Sequence, residues 1–302
     1  MQLRLGTRGS ALARKQADIV SSLLHAHFPN MDINVVVIKT SGDLDQLSPL
    51  SQIGGKGVFI KELEAALIDR QIDIAVHSFK DITSSMPEAL VLAGYLTPES
   101  RADVVILKPG LRFETLPPDS ILATGSVRRQ ALLKQIAPHL KTIGIRGNVQ
   151  NRLDKLAMMS EWSGIILSEA GLIRLGLEGR ISHRFEPFLF YPAPGQGVIA
   201  LQCRTGDAKS VRYCESVTDP TQKIISTVEF NFLKTVGFDC RLPLGLYTTL
   251  AGEEVHVKGF VANAHLSEAY EDRTHFQVGD NTAAAEFANR FLNWLRSRHD
   301  ES

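Results

Sequence analysis

The side chains best suited to chemistry lie in the stretch Asp73-Ile-Ala-Val-His-Ser-Phe-Lys-Asp81. An apolar run, Ile72, Ile74, Ala75 and Val76, turns polar at His77, Ser78, Lys80 and Asp81. A carboxylate beside an ammonium group can hold or move a proton and can stabilise a developing cation. The plain alternative is that Lys80 and Asp81 end a strand in water, because functional and structural ion pairs look alike in sequence. A second group is basic. Between Ser120 and Leu153 there is no Asp or Glu, yet Arg128, Arg129, Lys134, Lys141, Arg146 and Arg152 all fall there. Guanidinium groups take carboxylate or phosphate through paired N–H donors, so this tract points to an anionic ligand. The competing reading is a solvated basic face, but such a face normally mixes both signs of charge.

These residues need elements to position them. Residues 1–6 read as a strand and 11–27 as a helix with apolar positions Leu12, Ile19, Leu23 and Leu24. Arg8 and Ser10 then fall at a strand-to-helix turn, a natural anion site, although Ser10 could simply cap the helix. A strand over 33–40, a glycine-rich loop around Lys56 and a helix over 58–70, with Leu63, Ala66 and Leu67 inward, lead to the strand of 72–81. The loop lacks the spacing of a Walker phosphate loop, so a flexible connection is its plain reading. Strand, helix, strand, helix, strand predicts a parallel sheet, in which ligands sit outside the carboxyl ends of the strands.

The pattern then recurs. A strand is expected over 90–95, and others over 104–108 and 121–124. A helix opens at Thr124-Gly-Ser126-Val-Arg128-Arg129, a strand spans 142–145, and Asn148 caps a second helix; a strand over 164–167 precedes Ala170 to Arg174. The arginines therefore cluster at expected carboxyl ends of strands. Residues 188–194 read as a linker and 198–203 as a strand crossing back to the first sheet. Two lobes joined by two crossings give a cleft and a hinge. From about 215 a small α+β domain follows: a helix capped by Asp219, with Pro220 first and Gly237 at its end, then strands over 247–250 and 255–261 and a helix over 283–296. Cys240 sits on its first loop, where a lone cysteine most often reads as a small buried hydrophobe.

The bulk properties narrow the class. A chain of 302 residues is long enough for two or three domains with real cores. A formal net charge of +0 argues against a nucleic-acid or membrane-surface binder, so any anion site must be a local concentration of basic groups. No apolar run approaches the roughly 20 residues of a membrane span, and no signal-peptide core opens the chain. Three cysteines, Cys203, Cys214 and Cys240, suggest reduced thiols in a cytoplasm and have no metal-site spacing.

Six motifs together resemble the porphobilinogen deaminase (hydroxymethylbilane synthase) family. They are Gly6-Thr-Arg-Gly-Ser10, Gly55-Lys-Gly-Val-Phe-Ile-Lys-Glu-Leu-Glu64, Ala75-Val-His-Ser-Phe-Lys-Asp81, Ser126-Val-Arg-Arg129, Ile145-Arg-Gly-Asn-Val149 and Pro192-Ala-Pro-Gly-Gln-Gly197. Each is modest, but the ordered set spans essentially the whole chain. The resemblance implies two α/β lobes of periplasmic-binding-protein type with mixed, mostly parallel sheets and a hinge, plus a small C-terminal α+β domain. It implies domain 1 over 1–96 and 195–214, domain 2 over 97–194 and domain 3 over 215–302. It also implies a cytoplasmic monomer that joins four porphobilinogen molecules head to tail, releases ammonia at each addition and frees hydroxymethylbilane by hydrolysis. The primer is one dipyrromethane cofactor, thioether-linked to a cysteine that the motif matches to Cys240. Asp81 matches the catalytic carboxylate. Lys80, Thr124, Ser126, Arg128, Arg129 and Arg146 match cofactor-binding positions, while Arg8, Ser10, Arg152, Arg174 and Lys56 match substrate-binding ones. No metal, nucleic acid or membrane partner is implied. Each pyrrole ring bears an acetate and a propionate, so a chain growing in one cleft needs many cationic partners.

The sequence also departs from the family pattern. Phe238 and Asp239 stand where two glycines usually precede the cysteine, and Asp239 should disfavour a neighbouring thiolate. Gln52 replaces a lysine, Ile82-Thr83 a Val-Pro pair, Gly125 a serine, Phe230 an arginine and Gln202 a glutamate. Alternatives are a divergent paralogue with impaired cofactor assembly, or a non-catalytic two-lobed carboxylate- or anion-binding protein. A nucleic-acid-binding regulator is disfavoured by the neutral charge.

Overall fold

The computed structural model describes residues 2–40, 60–237 and 242–299. Gln52, Lys56, Phe238, Asp239 and Cys240 lie outside the described residues. The chain divides into two compact units, Met1–Glu99 with Gly197–Ser226, and Ser100–Gln196 with Thr227–Ser302.

The first unit holds β1 (Gln2–Arg8), α1 (Ala11–His27), β2 (Asp32–Ile38), α2 (Lys61–Ile68), β3 (Ile74–Ser78), β4 (Leu90–Tyr95), a strand Ile199–Arg204 and a helix Ala208–Ser216. The last two become β10 and α6 in chain order. The sheet runs β2-β1-β3-β10-β4, with β1 parallel to β2 and β3, and β10 antiparallel to β3 and β4. Leu5 pairs with Ile74 and Gly6 with Ala75, so the residues that follow β1 and β3 emerge at one edge of the sheet. Helix α1 buries Ala13, Gln16, Ala17, Val20 and Leu24. This corrects the stripe expected from sequence. Leu23 is exposed and Leu12 and Ile19 are only half-buried, because the buried face follows the i, i+3, i+4, i+7 phase of Ala13. Helix α2 buries Leu63, Ala66 and Leu67, as its spacing predicts. The expected strand over 72–81 is shorter. It ends at Ser78 and gives way to a single 3-10 turn, Phe79–Asp81.

The second unit repeats that topology. It holds β5 (Asp103–Leu107), β6 (Ile121–Ala123), α3 (Val127–Ile136), β7 (Lys141–Ile143), α4 (Val149–Met158), β8 (Trp162–Ser168), α5 (Glu169–Arg174) and β9 (His183–Arg184). Their order is β7-β6-β8-β5-β9, again three parallel strands followed by an antiparallel one. Most of α7 (Pro220–Val236) also belongs here, with β11 (Leu244–Ala251), β12 (Glu254–Ala262), β13 (Ala269–Gln277) and α8 (Asn281–His299). Asp219 caps α7 by accepting the Gln222 N–H at 2.8 Å, and Gly237, at φ +70°, takes the left-handed turn that stops it. The strands β11, β12 and β13 form an antiparallel sheet, whose third strand the sequence pattern did not show. In β13 most side chains are polar, and it buries chiefly Phe276.

The segment read as a linker, 188–194, enters the core from Phe190 onwards, while Phe188 and Leu189 stay exposed. Phe190 and Tyr191 are buried with Leu132, Ile166 and Phe260. Phe190 stacks on Phe185 with ring centroids 4.1 Å apart, and Tyr191 lies parallel to Phe260. Each such ring contributes roughly 1.5–3 kcal/mol by leaving water. Aromatic residues placed between prolines therefore join the five-stranded and three-stranded sheets of this unit through one apolar cluster.

Candidate active site

In the first unit, a pocket of about 100 Å³ opens where β1 and β3 end. Arg8, Ser10, Gln16, His77, Lys80 and Asp81 line it. Its geometry follows from local anchors. Phe79, 2% exposed, and Ile82, 3% exposed, point into the core on either side of Lys80 and Asp81. The Phe79 N–H donates to the Val198 carbonyl at 3.0 Å, and the Ile82 N–H closes the turn onto the Phe79 carbonyl at 2.9 Å. Lys80 and Asp81 are thus left half-buried on a turn pinned at both ends.

Ser10 stands at the turn between β1 and α1. Its Oγ accepts the Ala13 N–H at 3.2 Å, capping α1, and the residue also lines the pocket. Sequence reasoning missed Gln16. Its amide meets Ser78, with Nε2 donating to Oγ at 2.9 Å, and a glutamine in phase with Ala13, Ala17 and Val20 was the available signal. The role of Gln202 was missed as well. His77 Nε2 lies 2.9 Å from Gln202 Oε1, and Gln202 Nε2 donates to Glu64 Oε1 at 3.0 Å.

In the second unit the sequence-predicted residues again sit at carboxyl ends of parallel strands. Thr124 and Ser126 follow β6. Thr124 Oγ1 accepts the Ser126 N–H at 3.2 Å, and Ser126 Oγ accepts from the Arg129 backbone N–H, opening α3. Arg146 follows β7, and Asn148 caps α4 by accepting the Asn151 N–H at 2.9 Å. Arg152 donates Nε to the Gly147 carbonyl at 2.8 Å. Arg174 is buried on α5.

Arg128 and Arg129 are buried, and their counter-charge comes from outside the acid-free tract. Asp103 on β5, fully buried, accepts from Arg128 Nη1 at 2.7 Å and from Arg129 Nε and Nη2 at 3.0 and 2.7 Å. Gln196 completes the cluster by donating to Asp103 Oδ1 at 2.9 Å and accepting from Arg128 Nη2 at 3.3 Å. Burial alone would raise the Asp103 pKa, but the two guanidiniums outweigh it and hold the acid down to about 2. Two cations against one anion leave a net positive charge in a buried place. Arg146 adds a buried Nη1 with no hydrogen-bond partner among the described residues. Both observations fit an anionic ligand. Among the described residues no group of three or more His, Cys, Asp or Glu side chains could hold a metal ion, and no helix is long and apolar enough to cross a membrane.

Comparisons with known proteins agree with the family resemblance. Residues 3–212 match the family model described as "Porphobilinogen deaminase, dipyromethane cofactor binding domain". The porphobilinogen deaminase of Syntrophomonas wolfei is 38% identical over 268 residues, covering 89% of this chain and 87% of that one. That of Nitrobacter hamburgensis is 38% identical over 291 residues, covering 95% and 92%. Among solved structures, the methionine binding protein MetQ is 12% identical with a TM-score of 0.44, over 76% of this chain and 95% of that one. The chain belongs to the porphobilinogen deaminase family and carries that family's dipyrromethane-binding domain.

Proposed function

We propose that the chain is the transferase that joins four porphobilinogen molecules head to tail, releases ammonia at each addition and frees hydroxymethylbilane by hydrolysis. The observation that carries this reading is the pocket in which Asp81 meets Lys80, Arg8 and Ser10, in a chain of this family. Loss of ammonia from the aminomethyl group of porphobilinogen gives a cationic electrophile, which a second pyrrole attacks before losing a proton. On this reading Asp81 stabilises the positive pyrrole nitrogens and assists the proton transfer. Arg8 and Ser10 take substrate carboxylates, with Arg152, Arg174 and Lys56 serving the incoming ring.

Lys80, Thr124, Ser126, Arg128, Arg129 and Arg146 hold the acidic side chains of the dipyrromethane. The net positive Asp103 cluster and the buried Arg146 Nη1 support that assignment. When bound, the dipyrromethane supplies the primer to which substrate rings are added. Its anchor on this reading is the Cys240 thiol. The other two cysteines, Cys203 and Cys214, are fully buried in the apolar core of the first unit, which supports Cys240 as the attachment point. The presence of three sheets supports reading the second unit as an α/β lobe (97–194) with a small α+β domain (215–302), beside a first domain of 1–96 and 195–214. We further propose a cytoplasmic monomer, as the family resemblance implies.

The test is the intact mass of the purified, denatured protein. The expected result is an excess of two linked pyrrole units that is absent in Cys240→Ala. A retained adduct in that variant, or a bare chain that gains no mass after incubation with hydroxymethylbilane, would overturn the reading.

A further inference from the structure

Two thiols meet in the core of the first unit. Cys203 of β10 and Cys214 of α6 are both 0% exposed and share one apolar cluster with Val20, Leu24 and Leu201. Strand alternation puts Ile199, Leu201 and Cys203 on one face of β10. Helical spacing puts Ser210 and Cys214, four residues apart, on the buried face of α6. The two cysteine side chains are hydrogen-bonded to each other. Their backbones are fixed as well. Arg204, next to Cys203, donates Nη2 to Asp207 at 2.7 Å, and Asp207 caps α6 by accepting the Ser210 N–H at 3.1 Å. The Cys214 carbonyl accepts the Thr218 hydroxyl at 2.8 Å.

The two thiols are not equivalent. The hydrogen bond from Cys214, helped by Arg204, lowers the Cys203 pKa against burial and the charges of Asp207 and Glu215. Burial pushes Cys214 well above the ordinary thiol value, and the neighbouring Cys203 adds to that rise. A sulfur that is the better thiolate, beside one that keeps its proton, is the arrangement in which the first attacks a disulfide and the second resolves the product. Two small hydrophobes would fill the same volume, but packing alone asks for no contact between the sulfurs.

We propose that Cys203 and Cys214 are a reversible disulfide-forming pair, oxidised by small disulfides such as glutathione disulfide, which staples α6 to β10. Local opening of α6, nine residues long, admits the oxidant. The Cys203 thiolate attacks one sulfur of the small disulfide, whose S–S bond breaks and releases one thiolate. Cys214 then gives its proton to solvent and attacks the Cys203 sulfur, releasing the second thiolate. Two protein thiols are oxidised and one small disulfide is reduced to two thiols. The staple lies away from the pocket. Gln202 pairs with Ala75, near the start of β3, whereas the pocket opens where β3 ends. Val198, which holds the turn of Lys80 and Asp81 through Phe79, is five residues from Cys203, about 16 Å along an extended strand. The disulfide therefore stabilises the first unit without entering its pocket.

The experiment incubates the folded holoprotein with glutathione disulfide, blocks remaining thiols with an alkylating agent under denaturing conditions, and maps the digested chain by mass. The expected result is a peptide pair joined through Cys203 and Cys214, lighter by two hydrogens than its separate parts and parted again by dithiothreitol. The Tm of the oxidised protein should rise by about 5 °C, as expected for a short closed loop, and turnover of porphobilinogen should be unchanged. Cys214→Ser should stop at a glutathione adduct on Cys203, and Cys203→Ser should take up almost none. Recovery of both cysteines alkylated from the treated, unmodified protein would overturn the pair. An adduct on Cys214 in Cys203→Ser, with none on Cys203 in Cys214→Ser, would overturn the order of attack. A joined pair with an unchanged Tm would overturn the staple, and one with lost turnover would overturn its separation from the pocket. The cross-link is read by mass, so its outcome is independent of the deaminase reading.

Discussion

Arg129 grips one oxygen of Asp103 with two nitrogens, Nε at 3.0 Å and Nη2 at 2.7 Å, while Arg128 takes the other oxygen at 2.7 Å. All three side chains are buried. The geometry makes Asp103 the element that allows a basic tract to fold inward. It neutralises one guanidinium, orients both, and leaves the cluster with one unit of net positive charge.

Asp103→Asn should therefore be strongly destabilising. It leaves two buried guanidiniums without their carboxylate, a defect that typically costs about 3–5 kcal/mol. Thermal melts of the purified variant would check this, and a Tm within a degree or two of the unmodified protein would show the triad to be dispensable.

Acid should weaken the fold in two separate windows. The folded pKa of His77, about 4, lies below its ordinary value of 6.5. The unfolded chain thus takes up this proton first, so the contribution is complete above about 6.5 and is lost as pH falls towards 4. Its size is about 3 kcal/mol as an upper bound. Asp103, at about 2 against an ordinary 3.8, contributes above 3.8 and loses that contribution as pH falls towards 2. Melts between pH 7 and 3 should show Tm declining from about pH 6.5 downwards, and His77→Asn should flatten the upper window. A flat Tm between pH 6.5 and 4.5 in the unmodified protein would contradict the buried neutral histidine.

Asp81→Asn should separate chemistry from folding. Asp81 is half-buried on a turn whose anchors are its neighbours, so the substitution removes a proton acceptor and little packing. Turnover of porphobilinogen should fall by about 100-fold or more, with Tm nearly unchanged. Activity within a few-fold of the unmodified enzyme would remove Asp81 from its assigned role.

Phe79→Ala tests the anchor itself. The Phe79 ring is buried and meets Tyr95 edge-on at 5.4 Å between centroids. Truncation should cost about 3–5 kcal/mol and should also lower kcat, because Lys80 and Asp81 lose the fixed end of their turn. Comparing kcat at a temperature where the variant remains folded distinguishes this from simple loss of protein. An unchanged kcat there would show that the turn holds its shape without the ring.

What the sequence determined by itself is local. Ser10, Asn148 and Asp219 each cap a helix by accepting an N–H three residues ahead, and that spacing can be read from the chain alone. The alternation of strands and helices, the inward face of α2 and the polar ends of β1 and β3 were legible for the same reason: their cause lies within one or two turns of chain. Tertiary structure decided the partners. Asp103 reaches Arg128 across 25 residues, and Gln202 reaches His77 across 125 and Glu64 across 138. No periodicity encodes such pairs, because strand order and register choose them after the local elements exist. The same holds for Phe190 and Tyr191, which lie between prolines in sequence and become core only when β12 packs against the five-stranded sheet of its own unit. The arginine tract announced an anion in the sequence, but only the fold supplied the buried carboxylate that makes the tract stable.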